Sequence, residues 1–170
     1  APLSWTTFQL LEGKAPHHDG LFQNGVIDTP FVTLSIDDGL TLYDKTTNEA
    51  YEDFLRFEDR GDIGNEYIYF QPKGTEPIYA ELTAYEVLEN KARYAKILLK
   101  HDLTIPVSAD EKLDAEQRGI IEFMNRKASR SEELTTIPLE TEMTIFVDDP
   151  QIRFKTRFTN TAKDHRIRLL

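Results

Sequence analysis

Alternation of apolar and polar residues with a period of two dominates this sequence and is clearest over residues 139–158. The alternation predicts two β-strands, because successive side chains of a strand point to opposite faces. Folding the segment about a loop at residues 147–150 creates four cross-strand pairs, two of them apolar and two of them charged. These pairs are Met143 with Phe154, Ile145 with Ile152, Glu142 with Lys155, and Glu140 with Arg157. A slip of one residue would bury the charged side chains, so we predict this single register for the hairpin.

Shorter alternating runs predict that most of the remaining chain also forms strands. These runs are residues 31–36, 40–43, 67–70, 78–88, 92–103 and 166–170. Turn-forming residues separate several of them, with Asp38 and Gly39 as the strongest hairpin signal and residues 45–48 as a further turn. Because strands follow strands through short turns, we predict an all-β fold, an antiparallel β-sandwich rather than a parallel sheet.

One segment departs from the strand pattern. Ser108 and Glu111 stand three residues apart, as the N-cap and N3 positions of a capping box do, and apolar residues follow at helical spacing. Gly119 weakens such a helix by about 1 kcal/mol. We therefore predict a short helical or irregular excursion from the sheets near residues 109–128.

The composition excludes several classes of protein. The 170 residues include 30 acidic and 20 basic ones, and the formal net charge of −10 disfavours a general nucleic-acid binder. The lack of cysteine excludes a disulfide framework, a zinc ribbon and a thiol nucleophile. No apolar stretch approaches the roughly 20 residues that a membrane-spanning helix needs. We expect neither nucleic-acid nor membrane partners, and the absence of cysteine and of a signal peptide favours a cytoplasmic location.

The most unusual segment is FEDRGDIGNEY at residues 57–67, which holds four carboxylates, one arginine and two glycines. Oxygen ligands of this kind permit a calcium loop, although the spacing departs from the EF-hand pattern. Asp62 and Glu66 permit a glycosidase carboxylate pair, although such a pair must flank the scissile bond from opposite sides. The segment also permits a loop that hydrogen-bonds a sugar without cleaving it. A turn whose acids and arginine satisfy one another is the simplest interpretation.

The histidines form no complete catalytic arrangement in the sequence. His17 and His18 precede an aspartate and permit a metal site, but the polar stretch around them is typical of a solvated loop. His101 follows a strand-forming run and is expected at the surface, and His165 begins the last strand. The sequence has no Gly-x-Ser-x-Gly elbow, Walker loop or dinucleotide fingerprint. The residues alone therefore assign no catalytic role.

Two long motifs resemble the C-terminal β region of glycoside hydrolase family 38 α-mannosidases of the bacterial type. Residues 57–67 are similar to the family's FED-x-GD-x-G-[DN]-EY stretch, and NTAKDHRIRLL at residues 160–170 is similar to its N-x-AKDHR-[LI]-R-V-L stretch. GLTLYDK at residues 39–45 resembles a hairpin of the same region. The resemblance covers residues 25–170, which it implies are a β-sandwich domain that is incomplete at its C terminus. Residues 1–24 resemble a linking strand and loop from the preceding domain.

The resemblance implies a multidomain, zinc-dependent retaining exo-α-mannosidase that hydrolyses terminal α-mannosidic linkages. It implies an N-terminal α/β domain with the zinc ligands, the nucleophile and the acid, then a helical bundle, then β-sandwich domains of the galactose-mutarotase-like or supersandwich type. The partners of this chain would be those other domains and, through them, an α-mannoside substrate. The family's zinc-binding motifs have no counterpart in this sequence. We therefore expect an inactive fragment with no metal and no catalytic residue of its own.

The resemblance leaves the role of the acidic segment open. We expect it to face the sugar or a neighbouring domain through the candidate residues Arg60, Asp62, Asn65, Glu66 and Tyr67. Asp164, His165 and Arg166 are expected to be structural. The alternative is an autonomous carbohydrate-binding or mutarotase-like β-sandwich module. Trp5 is the single tryptophan that could stack on a sugar, and no histidine–carboxylate pair is evident for acid–base work, so we favour the domain of a larger enzyme.

Overall fold

The computed structural model describes residues 5, 7, 9, 19–37, 39–65 and 67–170. Most of the predicted linking segment, including His17 and His18, lies outside the described residues, as do Asp38 and Glu66. In chain order, the described strands are β1 (Phe22–Gln23), β2 (Val26–Asp28), β3 (Val32–Ser35), β4 (Thr41–Asp44), β5 (Glu49–Tyr51), β6 (Phe57–Gly61), β7 (Ile78–Tyr79), β8 (Glu81–Asn90), β9 (Tyr94–Pro106), β10 (Leu134–Phe146), β11 (Ile152–Arg157) and β12 (His165–Leu169). The helical elements are α1 (Lys112–Arg118) and a 3₁₀ turn (Phe123–Asn125).

The first sheet is a five-stranded antiparallel meander in which β1 to β5 pair in chain order. Asn24 and Gly25 connect β1 to β2 with φ angles of 50° and 77°, which are typical of the type I′ hairpin turn. The two strands that flank the hairpin signal at Asp38 are β3 and β4, as predicted. The predicted turn after β4 is also present, and the Asp44 carboxylate accepts a hydrogen bond from the Thr46 amide at 2.7 Å.

The second sheet has four antiparallel strands in the order β11, β10, β9, β8 and contains the hairpin with the predicted register. All four predicted cross-strand pairs of β10 and β11 are present. Met143 and Ile145 are buried on the inner face. On the outer face an ion pair forms diagonally, between Arg157 Nη1 and Glu142 Oε1 at 3.1 Å, rather than directly across the strands. The register is thus confirmed, but Phe154, which the prediction places on the core face, remains 38% exposed.

The third sheet places the first half of the acidic segment in a strand rather than in a loop. Its order is β12, β6, β7, and β12 pairs with β6 so that His165 lies opposite Gly61 and Ile167 opposite Asp59. The prediction of a strand at residues 67–70 is wrong. The alternation pattern misses β6 because two adjacent carboxylates interrupt it. Asp59 is paired by the distant Arg130 and His165, and Glu58 by the neighbouring Arg60 and the distant Arg168.

The three sheets share one hydrophobic core, which confirms the predicted all-β sandwich. The core cluster takes buried residues from each sheet, including Leu34, Phe57, Leu99 and Met143. A second, smaller cluster consists of Ile63, Ala109, Leu113 and Ala128, with Phe70 packed against them. This second cluster joins the helical excursion to the residues that follow β6.

The predicted excursion is present, but its helix is short and its capping differs. The N-cap residue of α1 is Glu111, which makes no side-chain capping bond. The predicted cap, Ser108, instead donates its hydroxyl to the Ala109 carbonyl at 2.7 Å. The helix stops at the C-cap residue Gly119, and Ile120 then adopts a φ of 56°. In the part of the chain that the structure describes, no helix is both long and apolar enough to cross a membrane.

His101 lies inside the core, which corrects the surface position that the sequence predicts. It belongs to β9, where Leu99 and Leu103 on the same face are fully buried. Its imidazole packs edge-on against the Phe57 ring, with the ring centroids 5.3 Å apart. Burial lowers the pKa of His101, because the charged imidazolium is poorly solvated in the core.

Candidate functional site

The pairing of β6 with β12 brings the motifs at residues 57–67 and 160–170 into one polar network. At its centre is Asp59, which is fully buried. His165 Nδ1 lies 2.6 Å from Asp59 Oδ1, and Arg130 Nη1 lies 2.6 Å from Asp59 Oδ2. A buried carboxylate is stable only when it is paired, and here each of its oxygens faces one nitrogen. The network therefore ties β6 to β12 and to the segment that follows the excursion.

Glu58 forms the second part of the network, on the other face of β6. Its Oε1 accepts hydrogen bonds from Arg60 Nε at 2.8 Å and from Arg168 Nε at 2.9 Å. Its Oε2 accepts a hydrogen bond from Arg60 Nη2 at 3.1 Å. These guanidinium groups, that of Arg60 above all, lower the pKa of Glu58 from its ordinary value of 4.5 to about 2, against the opposing effect of burial. Glu58 is therefore an ionised anchor for two arginines and not a proton donor near neutral pH.

Two side-chain oxygens build a tight loop after β6. Asp62 Oδ1 accepts hydrogen bonds from the Gly64 amide at 2.9 Å and from the Phe70 amide at 3.1 Å. Asn65 Oδ1 accepts hydrogen bonds from the amides of residues 67 and 68, both at 2.9 Å. Asp and Asn commonly close turns in this way. Both oxygens are thus engaged in holding the loop in shape.

The excursion holds this loop from outside. Arg126 donates a hydrogen bond to the Gly64 carbonyl at 2.8 Å and a further one to the Ile63 carbonyl. Gly64 has no space for a side chain, because a Cβ there would lie 1.8 Å from the Ile68 carbonyl oxygen. The loop is therefore fixed by its own turns, by the excursion and by a glycine that cannot be replaced without a backbone shift.

The predicted site residues occupy three different environments. Arg60 belongs to the buried network, whereas Asp62 and Asn65 shape the loop. The side chain of Tyr67 is 90% exposed, and Glu66 lies outside the described residues. The structure therefore does not gather the four described candidates into one reactive cluster.

A shallow cavity of about 220 Å³ lies where the loop meets the start of β12, and it is lined by Asp62, Gly64, Asn65, Asp164 and His165. Asp164 joins three segments at this point, with a φ of 53°. Its carboxylate accepts a hydrogen bond from the Ala109 amide at 3.0 Å, and its carbonyl accepts one from the Asp62 amide at 2.7 Å. Arg166 stacks over the Tyr69 ring, 3.8 Å from its centroid. The start of β12 thus holds both the loop and the excursion.

Sequence reasoning missed four of the residues that build the network, namely Glu58, Asp59, Arg130 and Arg168. One signal was available, because arginines at alternate positions of β12 indicate a charged face on that strand. The sequence does not show which carboxylate this face contacts, because Glu58 and Arg168 are 110 residues apart in the chain. Only the fold shows that the acidic strand lies against these basic residues.

The contact between Asp59 and His165 is of the type used in acid–base catalysis, but its position disfavours that use. The side chain of Asp59 is 0% exposed and that of His165 is 3% exposed. The second ring nitrogen of His165 lies 3.0 Å from Asn160 Oδ1, so both nitrogens face protein atoms. Among the described residues, no three His, Cys, Asp or Glu side chains converge so that they could hold a metal ion. This arrangement can hold the loop in position. A substrate cannot reach the buried contact between Asp59 and His165.

Exposed apolar side chains are present on the loop and on the excursion that Arg126 joins to it. We call them the apolar patch, and they are Tyr67, Ile68, Ile120, Ile121 and Met124. The rings of Phe70 and Phe123 pack edge-on with their centroids 5.6 Å apart. Arg126 Nε donates a hydrogen bond to the Ile121 carbonyl at 3.3 Å. These contacts keep the loop and the excursion together. Groups of exposed apolar side chains are typical of interaction surfaces.

Comparisons with known proteins identify relatives for most of the chain. No family model matches it. A protein of Halalkalibacterium halodurans named "putative mannosylglycerate hydrolase" is 36% identical over 135 residues, which is 76% of this chain and 15% of that protein. Sequence identity at this level indicates a common fold and ancestry for the matched regions. Most of the relative's own length has no counterpart in this chain.

Two solved structures from Enterococcus faecalis share the fold. One, a protein in glycosyl hydrolase family 38, matches with a TM-score of 0.84 and 35% identity over 93% of this chain and 20% of its own. The other, an α-mannosidase, matches with a TM-score of 0.84 and 34% identity over 94% of this chain and 19% of its own. The chain thus spans about one fifth of the solved structures that it matches.

Proposed function

This chain corresponds to one segment of glycoside hydrolase family 38 proteins, and from that premise we propose that it is a non-catalytic β-sandwich domain of a larger α-mannosidase. The observation that carries the proposal is the match of 93% of this chain to only 20% of a family 38 structure. In such a protein most of the polypeptide lies outside the matched segment. The parent protein, in this proposal, supplies the catalytic groups from other domains.

The polar network supports a scaffold role for the chain. A retaining glycosidase needs two carboxyl groups about 5–5.5 Å apart with room for a sugar between them. Here Asp59 is fully buried, and Glu58 is only 2% exposed and bound by two arginines. Asp62 uses a carboxylate oxygen to close its own loop. These carboxylates serve the fold, which is what a supporting domain requires.

The zinc site that the family resemblance implies is assigned to another part of the parent polypeptide. The described residues of this chain do not fit such a site, because no three side chains of the right type converge. Four-coordinate zinc sites with at least three protein ligands are the usual arrangement in enzymes. In this proposal, no zinc-dependent step takes place on this chain.

We further propose that the apolar patch and the loop at residues 62–68 face a neighbouring domain of the parent polypeptide. Tyr67 in the loop and Ile120 in the excursion are each 90% exposed. Such high exposure is unusual for large side chains of this kind. Ile120 also adopts a φ of 56°, which is costly for a β-branched residue. A strained, exposed isoleucine on the excursion and an exposed tyrosine on the loop are better explained by a covering domain than by solvent.

The substrate in this proposal is a glycoside of mannose. One structural relative is named an α-mannosidase, and the relative from Halalkalibacterium halodurans carries the name of a mannosylglycerate hydrolase. Both names refer to a mannosyl group, and only the second specifies the group to which it is bonded. We therefore assign the class of terminal α-mannosides to the parent enzyme and leave the leaving group unassigned.

Amide hydrogen exchange tests the interface. We expect the backbone amides of residues 67–68 and 120–124 to exchange more slowly in the complete polypeptide than in the 170-residue chain. The β10–β11 loop at residues 147–150 serves as the internal control, because nothing here assigns it to the interface. Equal exchange at the patch in both proteins would contradict the proposed interface.

Kinetics of the complete polypeptide test whether the loop reaches the sugar. Asp62→Ala should raise KM for an aryl α-mannoside or lower kcat if the loop shapes the sugar pocket. Asp114→Ala, in an exposed position of α1, is the matched control and should leave both constants unchanged. If Asp62→Ala leaves the kinetic constants unchanged but lowers the melting temperature, the loop stabilises the fold and does not shape the sugar pocket.

A further inference from the structure

We propose that a second cavity, formed where the three sheets meet, binds a neutral polyhydroxylated molecule of about the size of a monosaccharide. The cavity has a volume of about 400 Å³, within the range of small-ligand sites. Its lining includes Leu40, Phe54, Arg56, Tyr79, Glu81 and His101. None of these residues lines the cavity beside the loop at residues 62–68. The inference is independent of the proposed function.

A buried histidine with an unused ring nitrogen lines this cavity. His101 is only 5% exposed, and its Nδ1 has no hydrogen-bond partner among the described residues. A buried polar atom without a partner is uncommon in folded proteins and destabilises them. Burial keeps the imidazole neutral, so that Nδ1 can accept a hydrogen bond or donate one. Nδ1 is closed off from solvent, so a ligand hydroxyl reaches it only when the imidazole ring turns toward the cavity.

A strained turn forms one wall of the cavity. Asp53 and Leu55 have φ angles of 52° and 65°, a conformation that residues other than glycine rarely adopt. The turn is held in place because Leu55 is buried and the Phe54 amide donates a hydrogen bond to the Leu40 carbonyl at 2.7 Å. Strained residues of this kind concentrate at ligand clamps and functional sites. The strain and the unpaired histidine are separate observations that concern one cavity.

The charges at the rim of the cavity favour a neutral ligand. Asp53 and Glu81 contribute carboxylates, and Arg56 contributes a guanidinium that lies 3.6 Å from the centroid of the Tyr79 ring and 3.5 Å from the Asp53 carboxylate. Two carboxylates disfavour an anion, and no third ligand completes a cation site among the described residues. Hydroxyl groups can donate to the carboxylates and accept from the guanidinium.

The rest of the lining suits the apolar face of a sugar ring. Leu40, Phe54, Ala80 and Leu82 present apolar surface to the cavity. A pyranose combines such a face, made of C–H groups, with a rim of hydroxyls. Small-ligand sites commonly have this composition of apolar walls and a few placed polar groups. A monosaccharide therefore matches the lining better than a wholly apolar molecule or a charged one.

Nuclear magnetic resonance of the 170-residue chain tests the proposal, with the ring nitrogens of His101 as the reporter. We expect methyl α-D-mannoside or methyl α-D-glucoside to shift the His101 resonances saturably, with a Kd on the order of 1 mM. Glycerate at the same concentrations, as an anionic comparison, should cause no saturable shift. No response of His101 to either glycoside, or a response to glycerate alone, would overturn the proposal.

A pair of variants separates this cavity from binding elsewhere. Glu81→Gln removes one rim carboxylate at an exposed position and should weaken glycoside binding at least fivefold. The other resonances of this variant should keep the positions that they have in the folded, unmodified chain. Glu86→Gln makes the same change on the same strand, at a residue outside the cavity lining, and should bind as the unmodified chain does. Equal affinities in both variants would show that the glycoside does not occupy this cavity.

Discussion

At the scale of single residues, the chain depends on two adjacent carboxylates that a strand would normally expose. Asp59 and Glu58 lie on opposite faces of β6, and each meets cations supplied by distant segments. Taking a charge out of water is costly, so each carboxylate is stable only while its partners remain. Removing one partner therefore matters more than removing any surface ion pair.

The first prediction concerns Arg130, whose side chain is 8% exposed beside the fully buried Asp59. Arg130→Met should lower the free energy of unfolding by about 3–5 kcal/mol, because the Asp59 charge loses one of its two partners. Arg118→Met is the control, since Arg118 forms an exposed pair with Asp114 at 4.0 Å. Its effect should stay below about 1 kcal/mol in urea denaturation. Similar losses in both variants would contradict the importance assigned to the buried pair.

The second prediction concerns pH and Glu58. Its pKa in the folded chain is about 2, below the ordinary value of 4.5, so the unfolded chain binds more protons in acid. The stability that Glu58 contributes is thus complete above about pH 5 and is lost as the pH falls toward 2. Melting temperatures across this range should fall less steeply in Glu58→Gln. Glu52→Gln, at an exposed position, should keep the original slope, and an unaltered slope in Glu58→Gln would contradict the prediction.

At the scale of secondary-structure elements, the sequence predicts the pairing of β10 with β11 but not the pairing of β6 with β12. The hairpin register could be predicted because both faces of two neighbouring strands agree on it. β6 could not, because its partner strand β12 lies about a hundred residues further along the chain and its acidic residues resemble a loop. The capping box at Ser108 does not form because the helix begins only at Lys112, and the Asp110 amide donates to the distant Ser129 carbonyl.

The third prediction concerns the loop after β6. Gly64→Ala should destabilise the chain by about 1–3 kcal/mol, because the new Cβ would lie 1.8 Å from the Ile68 carbonyl and must move the backbone. Gly119→Ala is the control, since Gly119 has an ordinary φ of −77° and its Cβ would come no closer than 3.3 Å to another atom. Thermal unfolding of both variants measures the difference. A Gly64→Ala variant as stable as the control would mean that the loop has room for a side chain at residue 64.

At the scale of the whole molecule, three sheets around one core form a frame that carries a rigid loop and an exposed apolar patch. The all-β class was predictable from alternation alone, and the family from two motifs. The position of those motifs against each other was not, because it depends on the pairing of β6 with β12. The sequence marks Asp62 and Asn65 only as members of an unusual segment, and the hydrogen bonds that engage their oxygens appear only in the fold.

We propose that this chain supports a mannoside hydrolase whose catalytic groups lie elsewhere in the parent polypeptide. The most direct measurement compares hydrolysis of an aryl α-mannoside by the 170-residue chain and by the complete polypeptide, with and without a chelator. We expect no turnover by the chain, turnover by the complete polypeptide, and loss of that turnover on chelation with recovery on addition of zinc. Turnover by the 170-residue chain alone, or no hydrolysis of any α-mannoside by the complete polypeptide, would contradict it.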